Sequence, residues 1–265
     1  MTLLANKALL VVDAKNPSIE EMHAALDKFS TSIQMMTAGV ANGAWHLLLM
    51  GDPGQGKTQT VVDTLNDKNA NWTGIKGTTS AIGLYKFMFE HKDHDVIVID
   101  DSDAIYDSTE ATEILKAAMD SKTERKISWA KQNQNLTALG IPNSFVLNAK
   151  VILITNKDLE VAEGKNPSKA QRLMKPVVDR TPKLKTGLPT RTWEIEHFKL
   201  LHKRGEILAF SEANIDAAGQ QEIMDFICEN SEHFGSISFR TIVKTCAFYN
   251  EMPDMWQEMA MMTVA

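Results

Sequence analysis

Cysteine is nearly absent: Cys228 and Cys246 are the only two in 265 residues. Two thiols cannot build a disulfide framework, and neither has a Cys or His at a zinc spacing. A stapled secreted domain and a structural metal site are therefore excluded, and a reducing cytoplasm is the expected setting. Long apolar runs are missing too. The longest near the N-terminus, Ala8 to Val12, follows a single Lys7 and falls far short of a signal segment or of a span of about 20 residues, so no membrane partner is expected. Nor is there an excess of positive charge, because 28 Lys and Arg stand against 34 Asp and Glu for a net −6. The chain as a whole has no electrostatic reason to seek nucleic acid or an anionic membrane. Seven histidines form no pairing suited to a metal, and His91 and His94 read as loop surface. No repeat, low-complexity tract, recognition helix, zinc finger or stacking-aromatic cluster is present, which leaves sequence-specific DNA reading unsupported.

What remains is an ordinary globular composition, 43% apolar and 23% charged, with room for one large domain or a nucleotide-sized domain plus a small one. Ser18 and Glu21 form a capping box ahead of Met22, Ala25, Leu26, Phe29 and Ile33 on one face, predicting a helix that ends near Gly39 and Gly43. Trp45 to Met50, Val96 to Ile99 and Val151 to Ile154 are apolar runs of strand length. Unbroken apolar strands separated by helices argue for an α/β parallel sheet covered on both faces. Asp107 with Glu110 reads as the cap of a helix carrying Ala111, Ile114, Leu115, Ala118 and Met119. Ile127 to Trp129 and Ser144 to Leu147 read as an inserted β-hairpin, and Thr192 to Phe198 alternates as another sheet strand would. The rest from about Asn214 reads mostly as helix. The Met-rich tail, Met252 to Met262 with Trp256, is expected to serve as helix packing. The expected division is a helical lead-in over 1–43, a core over 44–203 and a small helical lid over 204–265.

Gly51-Asp52-Pro53-Gly54-Gln55-Gly56-Lys57-Thr58 fits G-x-x-x-x-G-K-[ST] between an expected buried strand and a helix. Glycines let backbone N–H groups curl around phosphate oxygens at a helix N-terminus. Lys57 can reach the β- and γ-phosphates, and the Thr58 hydroxyl can face Mg²⁺. The Val96–Ile99 strand delivers Asp100 and Asp101 to its carboxyl end, where ligands bind in open α/β sheets. Asp100 suits a magnesium ligand, and Asp101 suits a group that orients or deprotonates the attacking water.

Gly51 to Thr58, Val96 to Asp101 and Val151 to Asn156, in that order, resemble the Walker A, Walker B and sensor 1 segments of the AAA+ ATPases. Gly83-Leu84-Tyr85, Ile99 to Asp103, Leu115 to Asp120, Arg125 to Trp129 and Ile154 to Asn156 resemble AAA+ ATPases encoded by tailed bacteriophages. The resemblance covers about residues 45 to 200. It implies a P-loop sheet sandwiched by helices with an inserted hairpin and a helical lid, binding ATP and Mg²⁺, and a homo-oligomeric, hexameric ring. It makes Asn156 the sensor 1 residue that positions water with the Walker B acid. It asks for an arginine finger between sensor 1 and the next strand, for which Arg172, Arg180 and Arg191 are candidates. Arg180 is preferred because Lys175 to Arg180 resembles the finger-bearing helix end of clamp loaders; Arg191, taken to lie just before the strand, is second. Arg240, in Ser238-Phe239-Arg240-Thr241, resembles the sensor 2 arginine. One departure is that the second Walker B acid is usually Glu, one methylene longer than Asp101.

Charge is unevenly spread. From Arg125 to Arg191 thirteen Lys or Arg face four acids, a local +9 that leaves −15 for the remainder. This basic stretch suits either a nucleic-acid backbone in a ring pore or the acidic face of a neighbouring subunit. Three functions stay open: an ATP-driven ring motor or loader acting on DNA in phage replication, without sequence specificity and in the host cytoplasm; a remodeller of a protein partner, for which Trp129 near the hairpin is of interest; and a nucleotide-controlled binding switch that hydrolyses little.

Overall fold

The computed structural model describes residues 17–131 and 134–264. The apolar run Ala8 to Val12 and the start of the 1–43 lead-in lie outside the described residues. In chain order the elements are α1 (Ile19–Ala41), β1 (Leu47–Gly51), α2 (Lys57–Asp67), β2 (Trp72–Lys76), α3 (Ala81–Glu90), β3 (Val96–Asp100), a 3₁₀ turn (Asp103–Asp107), α4 (Thr109–Ala118), β4 (Lys126–Ser128), α5 (Gln134–Ala138), β5 (Ser144–Val146), β6 (Lys150–Thr155), α6 (Lys169–Arg180) and β7 (Lys183–Thr186). There follow α7 (Arg191–Arg204), α8 (Leu208–Glu212), α9 (Ala217–Glu229), a second 3₁₀ turn (Ser231–His233), α10 (Phe239–Glu251) and α11 (Trp256–Val264).

The described residues divide into two compact units, the first made of residues 30–51 and 57–186, apart from 132 and 133, and the second of 17–29, 52–56 and 187–264. The first holds a five-stranded sheet in the order β2-β3-β6-β1-β7, and every neighbouring pair is parallel. The three inner strands β1, β3 and β6 are the three apolar runs. They are buried on both faces, which is why their sequences do not alternate. One face contributes Leu48, Met50, Ile97, Ile99, Val151 and Leu153 to a core shared with Leu84 and Met88 of α3, Leu115 of α4 and Met174 and Val177 of α6. Each such side chain, fully buried, contributes roughly 1.5–3 kcal/mol. The expected hairpin is present: β4 and β5 pair antiparallel, Ile127 opposite Phe145, with α5 in the connection.

Two local expectations are corrected. The N-cap of α4 is Ser108 rather than Asp107: Ser108 Oγ accepts from the Ala111 N–H at 3.2 Å, while Asp107 pairs with Lys157 instead. Residues 192–198 are not a strand but lie in α7. Buried Trp193, Glu196 and Leu200 recur at helical spacing, Thr190 is the N-cap, and Gly205 closes the helix at φ 69°. The fifth strand is β7, so Arg191 follows the strand instead of preceding it.

The second unit packs α7 to α11 around Phe198, Phe210, Ile223, Phe226, Phe234, Ile242 and Trp256. Its C-terminal segment runs from Gly187, because α7 packs with the later helices. The first turns of α1 join it through Met22 and Leu26 against Trp193 and Leu200. The capping box that starts α1 is formed, with Glu21 N–H to Ser18 Oγ at 3.2 Å and Ser18 N–H to Glu21 Oε2 at 2.8 Å. Among the described residues no helix is long and apolar enough to cross a membrane.

Candidate functional site

The parallel register brings the carboxyl ends of β1, β3 and β6 level, since Met50 lies opposite Thr155 and Asp100 opposite Ile154. Residues far apart in sequence therefore meet at one edge. Lys57, 5% exposed, donates from Nζ to the Gly51 carbonyl at 2.8 Å and to Asn156 Oδ1 at 3.1 Å. Asn156 Nδ2 donates to Asp101 Oδ1 at 2.9 Å. Thr58 Oγ1 donates to Asp100 Oδ2 at 3.0 Å, and Asp100 is 4% exposed. Five of the residues expected to do chemistry thus fall into two short hydrogen-bonded chains.

Asp101 has a positive φ of 50° and donates its N–H to the Ile154 carbonyl at 3.3 Å. Left-handed backbone is uncommon outside glycine, and Asp and Asn tolerate it better than most side chains. It turns the second acid off the end of β3 toward Asn156. The turn beyond is held from below: Thr155 Oγ1 donates to Asp103 Oδ1 at 2.8 Å, and Lys157 Nζ lies 3.2 Å from Asp107 Oδ2. Tyr106 is fully buried beside them, and burial pushes its phenol well above the ordinary range.

The glycine loop between β1 and α2 has Gly54 at φ 75° and Gly56 at φ 76°. Its middle is packed against the start of α10. The Phe239 N–H donates to the Gly54 carbonyl at 3.2 Å, and a Cβ on Gly54 would meet Ser238 Cβ at 2.6 Å. Ser238 and Thr241 close a capping box there. Arg240, one residue beyond Phe239, is exposed, and among the described residues its side chain makes no hydrogen bond or ion pair.

The three candidate finger arginines differ. Arg180 ends α6, is 36% exposed at its side chain, and donates from Nε to the Pro176 carbonyl at 2.7 Å with Asp120 at 3.5 Å. Arg191 is committed within the second unit, donating to Glu194 at 2.6 Å and to the Phe234 carbonyl at 2.6 Å. Arg172 is exposed on α6.

The basic stretch is less free than its sum suggests. Lys131, Lys157, Lys175, Arg180, Lys183, Lys185 and Arg191 each pair with a carboxylate. Arg125 is buried, donating to the Ala118, Asn148 and Ala149 carbonyls and facing His46 at 3.1 Å. Lys126, Lys165, Lys169 and Arg172 are exposed and, among the described residues, unpaired. Trp129 packs on Tyr85 with ring centroids 5.8 Å apart, so it belongs to the core margin.

No family profile matches the chain. A solved structure of the Thermotoga maritima RuvB Holliday junction branch migration motor aligns at a TM-score of 0.50 with 14% identity, covering 94% of this chain and 72% of that one. A point mutant of the same protein gives 0.51, also at 14% identity and with the same two shares. The fold is that of the AAA+ P-loop NTPases. In sequence the chain is 29% identical over 185 residues to an uncharacterized 36.7 kDa protein from the nrdC-mobD intergenic region of Enterobacteria phage T4. That match covers 68% of this chain and 56% of the phage protein, so the chain spans little more than half the length of its relative. The strand order β2-β3-β6-β1-β7 puts the segments that end in Gly51–Thr58, Asp100–Asp101 and Thr155–Asn156 on three adjacent strands. Sequence reasoning missed Lys76 of β2, whose Nζ lies 3.4 Å from Asp100 Oδ2, because its place depends on a strand too polar to recognise.

Proposed function

We propose that this protein is a Mg²⁺-dependent ATPase of the AAA+ type, working as a homo-oligomeric ring that acts on DNA. The observation that carries the reading is the pair of side-chain links at the strand ends: Lys57 to Asn156 to Asp101, and Thr58 to Asp100. A structural lysine in a glycine turn has no need of an amide and a carboxylate gathered from two other strands. A hydroxyl and one carboxylate with hard oxygens suit Mg²⁺, which keeps several waters and takes phosphate oxygens in place of an all-protein cage.

In this reading the loop N–H groups and Lys57 bind the phosphates, and Thr58 and Asp100 hold the metal. When bound, Mg²⁺ neutralises charge on the β- and γ-phosphate oxygens. Asp101 accepts a hydrogen bond from the attacking water, and Asn156 holds Asp101 in place through Nδ2. Arg180, which ends a helix with part of its guanidinium in solvent, is the candidate to enter a neighbouring subunit's site; Arg191, already bonded to Glu194 and Phe234, is the weaker one. Arg240 is assigned to the γ-phosphate as sensor 2.

Action on DNA is supported by the exposed cations Lys126, Lys165, Lys169 and Arg172 and by the fold shared with a branch migration motor. Similarity to a phage T4 protein supports a phage setting, and a role in replication within the host cytoplasm is part of the same proposal. The remodelling of proteins loses its one specific residue, since Trp129 packs on Tyr85. The nucleotide switch keeps a specific observation in its favour, the short Asp101 tied back to Asn156. Steady-state ATP hydrolysis with and without single-stranded DNA, with Lys57→Ala as control, separates them. Turnover stimulated by DNA and lost in the variant supports the motor; tight ATP binding with no turnover supports the switch.

A further inference from the structure

Lys76 ends β2, and the parallel ladder sets it directly opposite Asp100 at the end of β3. The backbone beyond it is fastened to the same turn. The Gly77 N–H donates to the Asp100 carbonyl at 3.2 Å, and the buried Ser102 hydroxyl donates to the Gly77 carbonyl at 2.6 Å. Lys76 is thus carried to its place by sheet register and two hydrogen bonds, and does not depend on a wandering side chain alone. Its Nζ lies 3.4 Å from Asp100 Oδ2, the oxygen that also accepts from Thr58 at 3.0 Å. The two side chains are 69% and 6% exposed, so the ammonium meets a buried carboxylate from its solvent side. Among the described residues Lys76 has no other ion pair.

A carboxylate oxygen has two lone pairs, and here a hydroxyl and an ammonium stand on one oxygen. A divalent cation arriving at that oxygen must displace the ammonium or share it, and a positive charge so near repels the ion. Resting on the proposed reading that Asp100 and Thr58 hold Mg²⁺, we infer that Lys76 is a built-in competitor for Asp100. It sets the Mg²⁺ concentration at which the site fills. The residue does no chemistry and acts only through Asp100.

The test is a Mg²⁺ titration of the binding of a fluorescent N-methylanthraniloyl ADP to the whole chain, comparing wild type, Lys76→Gln and Lys76→Arg, with a parallel series in EDTA. Removing an exposed ion pair should lower the Mg²⁺ midpoint of Lys76→Gln about two- to five-fold. Lys76→Arg, which keeps the charge, should return it toward wild type, and affinity in EDTA should be the same for all three. An unchanged midpoint overturns the competitor role. A loss of affinity in EDTA for Lys76→Gln overturns it as well, since the ammonium would then be a phosphate ligand. Absence of nucleotide binding in every protein would instead overturn the nucleotide-site reading on which this rests.

Discussion

The strand ends that gather Lys57, Thr58, Asp100, Asp101 and Asn156 and the basic stretch from Arg125 to Arg191 are both rich in charge, yet they dispose of it differently. At the strand ends charged and polar groups are bonded to one another across three strands, and two of them are almost fully buried. In the basic stretch seven of the thirteen cations pair with a carboxylate, most of them partly in solvent. Buried groups held by a sheet are fixed in place without ligand, as chemistry on phosphate requires. Exposed pairs are worth at most about 1 kcal/mol each and can be exchanged for an outside partner at little cost. The first region is fixed within the chain, whereas the second can exchange its partners.

Arg180 is the sharpest test of that division, because it lies in the exchangeable region but is assigned a chemical role. If it serves a neighbour's site, Arg180→Ala should cut turnover by about 10³-fold with nucleotide affinity retained. Mixing Arg180→Ala with Lys57→Ala should restore part of the activity, since each variant supplies what the other lacks. Turnover within ten-fold of wild type would return Arg180 to the class of surface ion pairs, with Asp120 as its partner.

Within the fixed region, Asp101→Asn should reduce turnover about 10²-fold. Its folding should be untouched, as Asn also tolerates a φ of 50° and its amide oxygen can still accept from Asn156. Hydrolysis rates beside thermal melting check this pair of outcomes. A variant that melts early would mean that Asp101 serves the turn more than the water.

The two regions were unequally legible. β1, β3 and β6 could be read because strands buried on both faces run apolar without a break. β2 and β7 escaped, since as edge strands they are half exposed: Trp72–Lys76 contains a glycine, and Lys183–Thr186 carries two lysines in four residues. The helix α7 was misread because Trp193 and Ile195 alternate over a short window, although Trp193, Glu196 and Leu200 already mark a helical face. Asp100, Asp101 and Asn156 could be read from strand ends, but their bonds to Thr58 and Lys57 depend on strand order, which no local pattern encodes. The pairing of the basic stretch was hidden for the same reason: Glu110, Asp107 and Asp120 come from outside it.

One cation of that stretch is not exchangeable. Arg125 is buried against His46, whose Nδ1 accepts from the Val151 N–H at 3.0 Å. Burial above all, then Arg125 and Lys150, pushes the imidazole down to about 3 from 6.5. Since the unfolded chain takes up this proton near pH 6.5 and the folded chain does not, stability is full above pH 6.5 and is lost as pH falls toward 3. At pH 4.5 the loss from this group reaches up to about 2.7 kcal/mol. Denaturant unfolding at pH 7.5 and 4.5 should show a smaller loss for His46→Gln than for wild type. Equal losses would move the acid sensitivity to other groups.

The smallest effect belongs to the exposed cations without a carboxylate. If the basic stretch meets a nucleic-acid backbone, Lys165, Lys169 and Arg172 can do so, like Lys126, without first giving up an internal partner. Replacing all three with Gln should weaken binding to single-stranded DNA several-fold near 0.1 M salt. It should also flatten the dependence of log affinity on log salt by about 2, since each contact to a single strand contributes roughly 0.7. ATP turnover without DNA should be unchanged, because none of the three touches the strand ends. An unaltered slope would show that these cations face protein, and the acidic remainder of another copy of the chain would become the partner to test by charge reversal.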